Sequence, residues 1–197
     1  ERLVAVTRYC DFPEEAKKKP RIGGWLDIND ELVRSYEPDL LLSSTFVQNK
    51  ITDKYKKNKM NIVAVMPTTL KGVFYSIIKI GKLIGKENDA LTLINSMKKE
   101  MKKIQNKIKN IKNKPRVYIE EWHKPPTVSG NWVPTLVKMA GGDYSLIKAG
   151  VHSKEVTTQQ IQNYDPEIIV ISICGMADKV PKEWITKREG WQNLSAV

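Results

Sequence analysis

The chain has 197 residues, 41% of them apolar, and a formal net charge of +11 at pH 7, so it can bury one sizeable core or two small ones. No stretch approaches the roughly 18 unbroken apolar residues of a membrane span, so the sequence predicts no membrane-spanning helix within it. The cysteines Cys10 and Cys174 lie far apart, and a total of two histidines excludes a metal site built from three histidines.

Five short apolar runs predict buried strands, and helical patterns separate them. This order is typical of an α/β protein with mainly parallel sheets. The predicted strands are residues 3–7 (LVAVT), 39–44 (DLLLSS), 61–66 (NIVAVM), 116–122 (RVYIEEW) and 167–172 (EIIVIS).

The first predicted strand runs into TRYCDFPEEAKKKPRIGGW, residues 7–25, which is too irregular for one helix or strand. Pro13 favours the start of a short helical turn, and Gly23 with Gly24 lets the chain double back toward Trp25. The segment is therefore predicted to be a loop at the end of a strand.

One pattern occurs in both halves of the chain. SYEPDLLL (35–42) and NYDPEIIV (163–170) share a tyrosine, an acid, a proline, a second acid and three aliphatic residues. Each follows a candidate helix, NDELVR or TTQQIQ, and each proline restricts the residue before it, which stops the helix ahead of a buried strand. Two similar lobes are expected.

A long helix is predicted between the two halves, from about Asn88 to Ile111, with Asn88 or Asp89 as its N-cap and Pro115 closing the segment. It would run roughly 35 Å. Lysines cover its other faces, and we interpret them as solvent-exposed, because the basic run lacks the aromatic residues that a single-strand nucleic-acid binder uses for stacking. Its predicted apolar face comprises Leu91, Ile94, Met97, Met101, Ile104, Ile108 and Ile111.

These elements predict an N-terminal lobe over residues 1–87, a connecting helix over 88–114 and a C-terminal lobe over 115–197. A single long helix in place of a flexible hinge predicts limited relative motion. A cleft between the lobes is then the expected binding site.

Three predicted loops follow strand ends, where open parallel sheets present the residues that contact ligands. The first is the segment 7–25, the second is 120–134 and the third is 172–181. Packing remains the competing interpretation for every aromatic residue in them. The aromatic and histidine candidates are Tyr9, Phe12 and Trp25 in the first loop, and Trp122, His123 and Trp132 in the second.

Signatures of enzymes are absent from the sequence. It contains no G-x-S-x-G, no P-loop, no G-x-G-x-x-G and no H-E-x-x-H. Glu120 and Glu121 are adjacent on a predicted strand and point to opposite faces, which is the wrong geometry for a cooperating carboxylate pair.

The motifs resemble a known family over nearly the whole chain. The segment from Val4 to Leu42, with VAVTRYCDFPEEAKKKPRIGGW and INDELVRSYEPDLLL, resembles the N-terminal lobe of ABC-importer substrate-binding proteins for vitamin B12 and ferric siderophores. EEWHKPPTVSGNWVPTLVKMAGG (120–142) and KEVTTQQIQNYDPEIIVISICG (154–175) resemble the C-terminal lobe of the cobalamin-binding branch.

This resemblance implies two Rossmann-like lobes joined by one long helix, the class III architecture of such binding proteins. It implies a periplasmic or extracytoplasmic carrier that is not an enzyme and that delivers its ligand to permease subunits. Relative to the family, the chain lacks a strand and helix at each end, so it is expected to be truncated, with any lipid anchor outside it. A monomer without a cofactor, a metal site of its own or a nucleic-acid partner is expected.

The resemblance also implies the ligand. Tyr9 and Trp25 match the family's aromatic residues in the cleft, and Trp122 falls where the second lobe contributes one; Trp132 and His123 are further candidates. A flat corrin ring offers an apolar face that aromatic rings can cover. A corrinoid is therefore the predicted ligand, although Ser44 stands where the family's B12 binder has another tryptophan.

For docking to the permease, Glu31 matches a carboxylate that pairs with a permease arginine in the family. The matching position of the second lobe is Gln159, and Glu155, placed one turn earlier on the same predicted helix, is the substitute.

Three alternatives stay open. A ferric siderophore or haem could replace the corrinoid, and an anionic siderophore would need basic residues such as Arg8, Arg21 and Lys124. The charge of +11 leaves a basic nucleic-acid-binding domain as a second alternative. The third is a Rossmann-type enzyme lobe.

Overall fold

Helices alternate with strands along most of the chain, which confirms the predicted α/β class. The computed structural model describes residues 2–173, 176 and 179–197. They form two units, Glu1–Met66 and Pro67–Val197. The predicted division into lobe, connecting helix and lobe stays a prediction.

The first unit is built on a parallel pair of short strands, β1 (Leu41–Ser43) and β2 (Ile62–Ala64), at two of the predicted positions. Its α-helices are α1 (Asp30–Ser35) and α2 (Asn49–Lys57), and 3-10 turns lie at Glu14–Lys18 and Phe46–Gln48. The buried apolar side chains of this unit are Val6, Ala16, Val33, Tyr55 and Val65.

The predicted strand at residues 3–7 is wrong. Only Val6 forms a bridge, with Arg21, while Leu3 and Val4 are 51% and 45% exposed. Val6 donates its N–H to the carbonyl of Pro20 and accepts from the N–H of Ile22. A strand needs a neighbour along its length, and here the neighbouring segment is a few residues long.

The second unit begins with two helices, α3 (Leu70–Leu83) and α4 (Glu87–Ile108). Its sheet has the order β5-β4-β3-β6, in which β3 (Val117–Trp122) and β6 (Ile168–Ile171) are parallel and occupy predicted positions. The predicted burial is wrong for β6, because Ile168 and Val170 are 44% and 42% exposed. The antiparallel strands β4 (Thr127–Val128) and β5 (Lys154–Glu155) were not predicted, and each has only two residues. The remaining helices are α5 (Val133–Met139), α6 (Thr158–Tyr164) and α7 (Glu183–Thr186).

A hydrophobic core lies within the second unit, between its sheet and its helices. It includes two fully buried tyrosines, and the Tyr144 hydroxyl donates to the carbonyl of Ser129 at 2.7 Å. Its buried members are Val117, Tyr118, Val128, Val137, Tyr144, Ile147, Val156, Ile161, Ile185, Trp191 and Leu194.

The repeated sequence pattern gives the same local structure twice. Helix α1 leads into β1, and α6 leads into β6. The acid before each proline adopts a left-handed conformation, with φ 44° at Glu37 and φ 45° at Asp165. Because the right-handed helical region is disfavoured for a residue before proline, both helices stop ahead of the proline, as predicted.

The long predicted helix is confirmed as α4, and one glycine lets it approach α3 closely. A Cβ at Gly81 would lie 2.6 Å from the Cβ of Ala90, so only glycine permits this contact without a shift. Ala90 and Ile94 are buried along this face, and Ile108 is half-buried.

Two details of the α4 prediction are wrong. The cap is Lys86, which makes no side-chain capping hydrogen bond, so neither Asn88 nor Asp89 is the N-cap. Three residues of the predicted apolar face, Leu91, Ile104 and Ile111, are between 42% and 56% exposed. The buried stripe is therefore narrower than the sequence pattern. In the part of the chain that the structure describes, no helix combines the length and apolarity needed to cross a membrane.

Candidate functional site

Tyr9 and Trp25, the two candidates in the first unit, lie in contact. Their ring centroids are 5.2 Å apart with the planes tilted by 58°. Tyr9 is 48% exposed and Trp25 is 37% exposed, so much of each aromatic surface faces solvent. The loop thus presents a paired aromatic surface of the kind that a flat ligand can cover.

Arg21 holds this loop together. Its guanidinium donates to the carbonyls of Thr7 at 2.9 Å and Cys10 at 2.6 Å, and to that of Lys17 at 3.3 Å. These bonds fix the backbone on both sides of Tyr9. Arg21 is therefore a positioning residue, and no local sequence pattern marks it as one.

The return of the chain to Trp25 depends on Gly23. Its φ is 115°, and a Cβ there would lie 2.2 Å from the backbone oxygen of Asp27. The Gly23 carbonyl accepts from the N–H of Arg8 at 2.7 Å, which joins the two ends of the loop. This confirms the predicted turn at the glycine pair.

A turn after β1 is bonded to the same loop. The side-chain amide of Gln48 accepts from the N–H of Ser44 at 3.1 Å and donates to the Trp25 carbonyl at 3.3 Å. Phe46, in this turn, is 54% exposed. Ser44 itself has no aromatic ring, but Phe46 supplies one two residues later. Phe46 is not among the aromatic residues predicted from the sequence.

In the second unit, Trp122 ends β3 and is 51% exposed. Its indole N–H donates to the carbonyl of Lys124 at 3.1 Å, which fixes the ring against its own turn. Trp132 lies at the other end of this loop as the N-cap of α5 and is only half-buried. Trp122 therefore offers the larger exposed aromatic surface of the two.

Two residues before Trp122 on β3, Glu120 belongs to a buried charge pair that the sequence did not reveal. Glu120 is 0% exposed, and Arg188 approaches its carboxylate with both terminal nitrogens, at 2.5 and 2.7 Å. The Tyr118 hydroxyl donates to the same carboxylate at 3.1 Å, and the Arg188 guanidinium lies 4.2 Å above the ring of Trp191. A buried carboxylate needs such partners, because desolvation without them is costly.

His123 is held by this charge pair. Its ring stacks on Trp184 at 4.1 Å, and its Nδ1 lies 2.6 Å from an Arg188 nitrogen. Burial, followed by the positive charge of Arg188, lowers the pKa of His123. Since arginine can only donate, Nδ1 accepts and the ring proton belongs on Nε2. His123 is thus a neutral ring, fixed by Trp184 and Arg188 at the position that follows Trp122 in the chain.

Glu121 faces away from this cluster, as the alternation along β3 predicts. Its carboxylate accepts from the hydroxyls of Ser129 at 2.7 Å and Ser153 at 2.6 Å. The two adjacent glutamates thus have separate partners, in agreement with the expectation that they do not form a cooperating pair.

The three candidate docking residues occupy different environments. Glu31 and Gln159 are each the second residue of an exposed helical turn, in α1 and α6. Glu31 makes no ion pair within the described residues, while Gln159 donates to Asn163 at 2.8 Å.

Glu155 lies in β5, opposite Thr127, and not on the helix of Gln159 as predicted. The strand forms because residues 154–155 pair with β4, and α6 begins only after the Thr157 cap.

Two of the three basic residues proposed for an anionic siderophore are already engaged. Arg8 pairs with Asp27 at 2.6 Å, and Arg21 is bonded to backbone carbonyls. Lys124 is exposed. A preformed cluster of three cations is therefore not found at these positions.

The third predicted loop, 172–181, lies partly outside the described residues, and so does Cys174. Cys10 is half-buried, with its sulfur 3.4 Å from the Thr7 hydroxyl. Among residues 2–173, 176 and 179–197, no cluster of three or more His, Cys, Asp or Glu side chains could hold a metal ion.

Comparison with known proteins decides the family. The profile of the periplasmic binding protein family matches residues 1–197. The chain belongs to the periplasmic binding protein family. This match confirms the resemblance seen in the motifs. Members of the family are substrate-binding proteins and not enzymes, in agreement with the expectation from the sequence.

Two related proteins have a low sequence identity to this chain. The uncharacterized ABC transporter substrate-binding lipoprotein YvrC of Bacillus subtilis is 28% identical over all of this chain, which spans 63% of that protein. The high-affinity heme uptake system protein IsdE of Staphylococcus aureus is 25% identical over 97% of this chain, which spans 68% of IsdE.

Solved structures agree on the fold. The structure of S. aureus IsdE complexed with heme superposes with a TM-score of 0.82 and 26% identity, covering 99% of this chain and 78% of that one. The periplasmic vitamin B12 binding protein BtuF of Vibrio cholerae gives a TM-score of 0.72 at 19% identity, covering 98% of this chain and 75% of that one. At that identity, the likeness to BtuF concerns the fold alone.

Proposed function

We propose that the protein is the substrate-binding component of an ABC importer and that its ligand is a flat, metal-bearing tetrapyrrole, with a corrinoid as the predicted member of that class. Family membership and the lipoprotein relative support the importer role. The observation that carries the ligand class is the exposed aromatic pair of Tyr9 and Trp25, held in place by Arg21.

Tyr9 and Trp25 in the first unit, and Trp122 in the second, are the side chains that contact the ligand. Stacked aromatic contacts stabilise a complex by about 0.5–1.5 kcal/mol each beyond the burial of area. Phe46 and Trp132 add apolar surface, and His123 holds the turn of Trp122. Glu31 and Gln159 dock to the permease, and the protein works on the extracytoplasmic side of a membrane. The name of its relative YvrC, a substrate-binding lipoprotein, supports this location. The monomeric state and the absence of nucleic-acid binding stay predictions.

Haem is the second candidate ligand, because IsdE is related to this chain over nearly its whole length. An iron porphyrin commonly takes an axial ligand from the protein. In this chain, Nδ1 of His123 accepts from Arg188 and its Nε2 carries the ring proton, so neither nitrogen has a free lone pair for iron. The half-exposed Tyr9 phenol is the oxygen ligand that the aromatic surface offers.

Titration of cyanocobalamin, haemin and a panel of ferric siderophores into the protein, followed by tryptophan fluorescence, tests the proposal. A corrinoid is expected to quench the fluorescence saturably, with little dependence on salt. Saturable binding of haemin alone, with spectral shifts that Tyr9→Phe removes, would transfer the assignment to haem. Binding of a siderophore alone, or of no metal complex at all, would contradict the proposed ligand class.

A further inference from the structure

The positive charge of the chain is concentrated in one short region. Residues 98–114 contain eight lysines and a single acidic residue, Glu100, so they carry +7 of the total of +11. All eight lysines are exposed. We call this group the lysine surface: Lys98, Lys99, Lys102, Lys103, Lys107, Lys109, Lys112 and Lys114.

The lysine surface has an ordered geometry over its helical part. Five of its members lie in α4. Lys99, Lys103 and Lys107 recur every four residues and lie on the side of the helix opposite the buried Ile94, while Lys102 lies on the flank. Lys98, four residues after Ile94, lies on the same side as Ile94. From Lys99 to Lys107 the row covers about 12 Å of helix.

Neighbouring groups neutralise little of this charge. Lys103 pairs with Glu100 at 2.7 Å, and the Lys98 ammonium lies 5.4 Å from the centre of the Phe74 ring. Within the described residues, Lys102, Lys107 and Lys112 make no ion pair. The helix dipole favours cations only in the last turn, so it does not account for the lysines at 98–103.

Apolar side chains lie beside these lysines. Ile104 is 45% exposed and Ile111 is 56% exposed, and the segment from Glu87 to Lys114 contains no aromatic residue. A single-strand nucleic-acid surface combines cations with stacking aromatic rings. A lipid surface instead combines anionic headgroups with an apolar layer that aliphatic side chains can enter.

From this combination, we propose that the lysine surface is a docking surface for the anionic face of a lipid bilayer. The lysines contact headgroup phosphates, and Ile104 and Ile111 enter the boundary between headgroups and acyl chains. This adsorption goes beyond ligand binding and does not depend on the identity of the ligand. It would hold the carrier near its membrane before it meets a permease.

Co-sedimentation of the unliganded protein with vesicles tests the proposal. Vesicles of phosphatidylcholine with phosphatidylglycerol should bind the protein at low salt, and vesicles of phosphatidylcholine alone should not. Replacing Lys99, Lys102, Lys107 and Lys112 together by Gln should lower the partition coefficient about a hundredfold or more, since each lysine near an anionic surface contributes roughly a fivefold factor.

The matched control is the quadruple variant of Lys18, Lys50, Lys56 and Lys57 to Gln, which removes the same charge from exposed positions of the first unit. It should bind the anionic vesicles almost as the unchanged protein does. An Ile104→Ser and Ile111→Ser variant should bind more weakly at unchanged charge.

Three results would overturn the proposal. The first is no binding to the anionic vesicles at low salt. The second is an equal loss in both quadruple variants, which would indicate net charge without a defined surface. The third is tight binding of a short single-stranded DNA through the same lysines in the absence of vesicle binding. Circular dichroism of each variant verifies that α4 is retained, since Lys and Gln have similar helix propensities.

Discussion

The two strand-end loops hold their aromatic side chains by different means. In the first unit, Tyr9 and Trp25 are positioned by hydrogen bonds from Arg21 to backbone carbonyls and by an unusual backbone conformation at Gly23. In the second unit, the turn after Trp122 is stabilised by the fully buried carboxylate of Glu120, which is paired with Arg188.

This difference follows from the size of each core. The sheet of the first unit has two strands of three residues, which bury few large side chains, so its loop is fixed locally. The second unit has a four-stranded sheet and a larger core, which can enclose an ion pair and the ring of Trp191 beneath it. Substitutions that change the backbone conformation should therefore destabilise the first loop, and substitutions that remove a buried charge should destabilise the second.

The largest expected effect is that of Arg188→Met. The substitution leaves Glu120 buried without its cation, so the free energy of unfolding should fall by about 3–5 kcal/mol. The same substitution at Arg8, whose pair with Asp27 has side chains 52% and 63% exposed, should cost less than about 1 kcal/mol. Urea unfolding of both variants measures the contrast.

A double variant, Glu120→Leu with Arg188→Met, separates loss of the pair from loss of packing. Because removing both partners leaves no unpaired buried charge, the double variant should be more stable than Arg188→Met alone. Equal costs at Arg188 and Arg8 would contradict the distinction between the two loops.

Next in size is Gly23→Ala. A Cβ at this position would meet the Asp27 backbone oxygen at 2.2 Å in a left-handed conformation, so the change should cost about 1–3 kcal/mol and displace Trp25. Gly24→Ala is the matched control, because its Cβ would meet only the movable carboxylate of Asp27. Thermal unfolding and the tryptophan emission spectrum compare the two; similar behaviour would show that the backbone at Gly23 does not fix the loop.

A smaller effect is expected at the caps of the two repeated helices. The Asn29 side chain accepts from the N–H of Leu32 in α1, and the Thr157 hydroxyl accepts from the N–H of Gln160 in α6. Replacement of either by Ala should cost about 1 kcal/mol. If urea unfolding shows a loss at only one of them, the two helices are not equivalent in energy although they share a sequence pattern.

The smallest effect concerns pH. The pKa of His123 is lowered by burial and by Arg188, so folding favours the neutral ring. This stability is fully present above the unfolded pKa of about 6.5 and is lost as the pH falls through the folded pKa. In the first unit, hydrogen bonds from Lys54 and Tyr55 lower the pKa of Asp30, whose contribution is lost only in more acidic solution.

Mildly acidic solution should therefore lower the melting temperature of the unchanged protein through the second unit. His123→Phe should remove this dependence while keeping the stack on Trp184, and His152→Asn should retain it. Titration of the His123 ring by NMR measures the pKa directly, and a value above the ordinary one would contradict the claim that folding favours the neutral ring.

Much of the fold could be predicted because its signals are local. The positions of β1, β2, β3 and β6 and the repeated Tyr-acid-Pro-acid pattern depend on residues that are neighbours in sequence, as do the helix stops near Glu37 and Asp165. The strand at residues 3–7 failed because a strand also depends on its neighbour in the sheet. The sequence predicts a helix at Glu155, because a strand of two residues is too short to produce a recognisable pattern.

The residues that hold the aromatic side chains of the candidate site in place could not be predicted. Glu120 and Arg188 are 68 residues apart, and no local pattern links them. The sequence predicts Arg21 as a cation for an anionic ligand, because nothing in a sequence indicates which backbone carbonyls a side chain contacts. The aromatic residues could be selected because their type alone suggests contact with a flat ligand.

The most direct test of the central claim is calorimetric titration of cyanocobalamin and haemin into the unchanged protein and into three alanine variants. Trp25→Ala and Trp122→Ala should each weaken binding of the tetrapyrrole about tenfold or more, since each removes a stacked contact and its buried area. Phe12→Ala, at an 88% exposed position of the same loop as Trp25, should leave the affinity unchanged. Binding that survives both tryptophan substitutions, or no binding of either tetrapyrrole, would contradict the account.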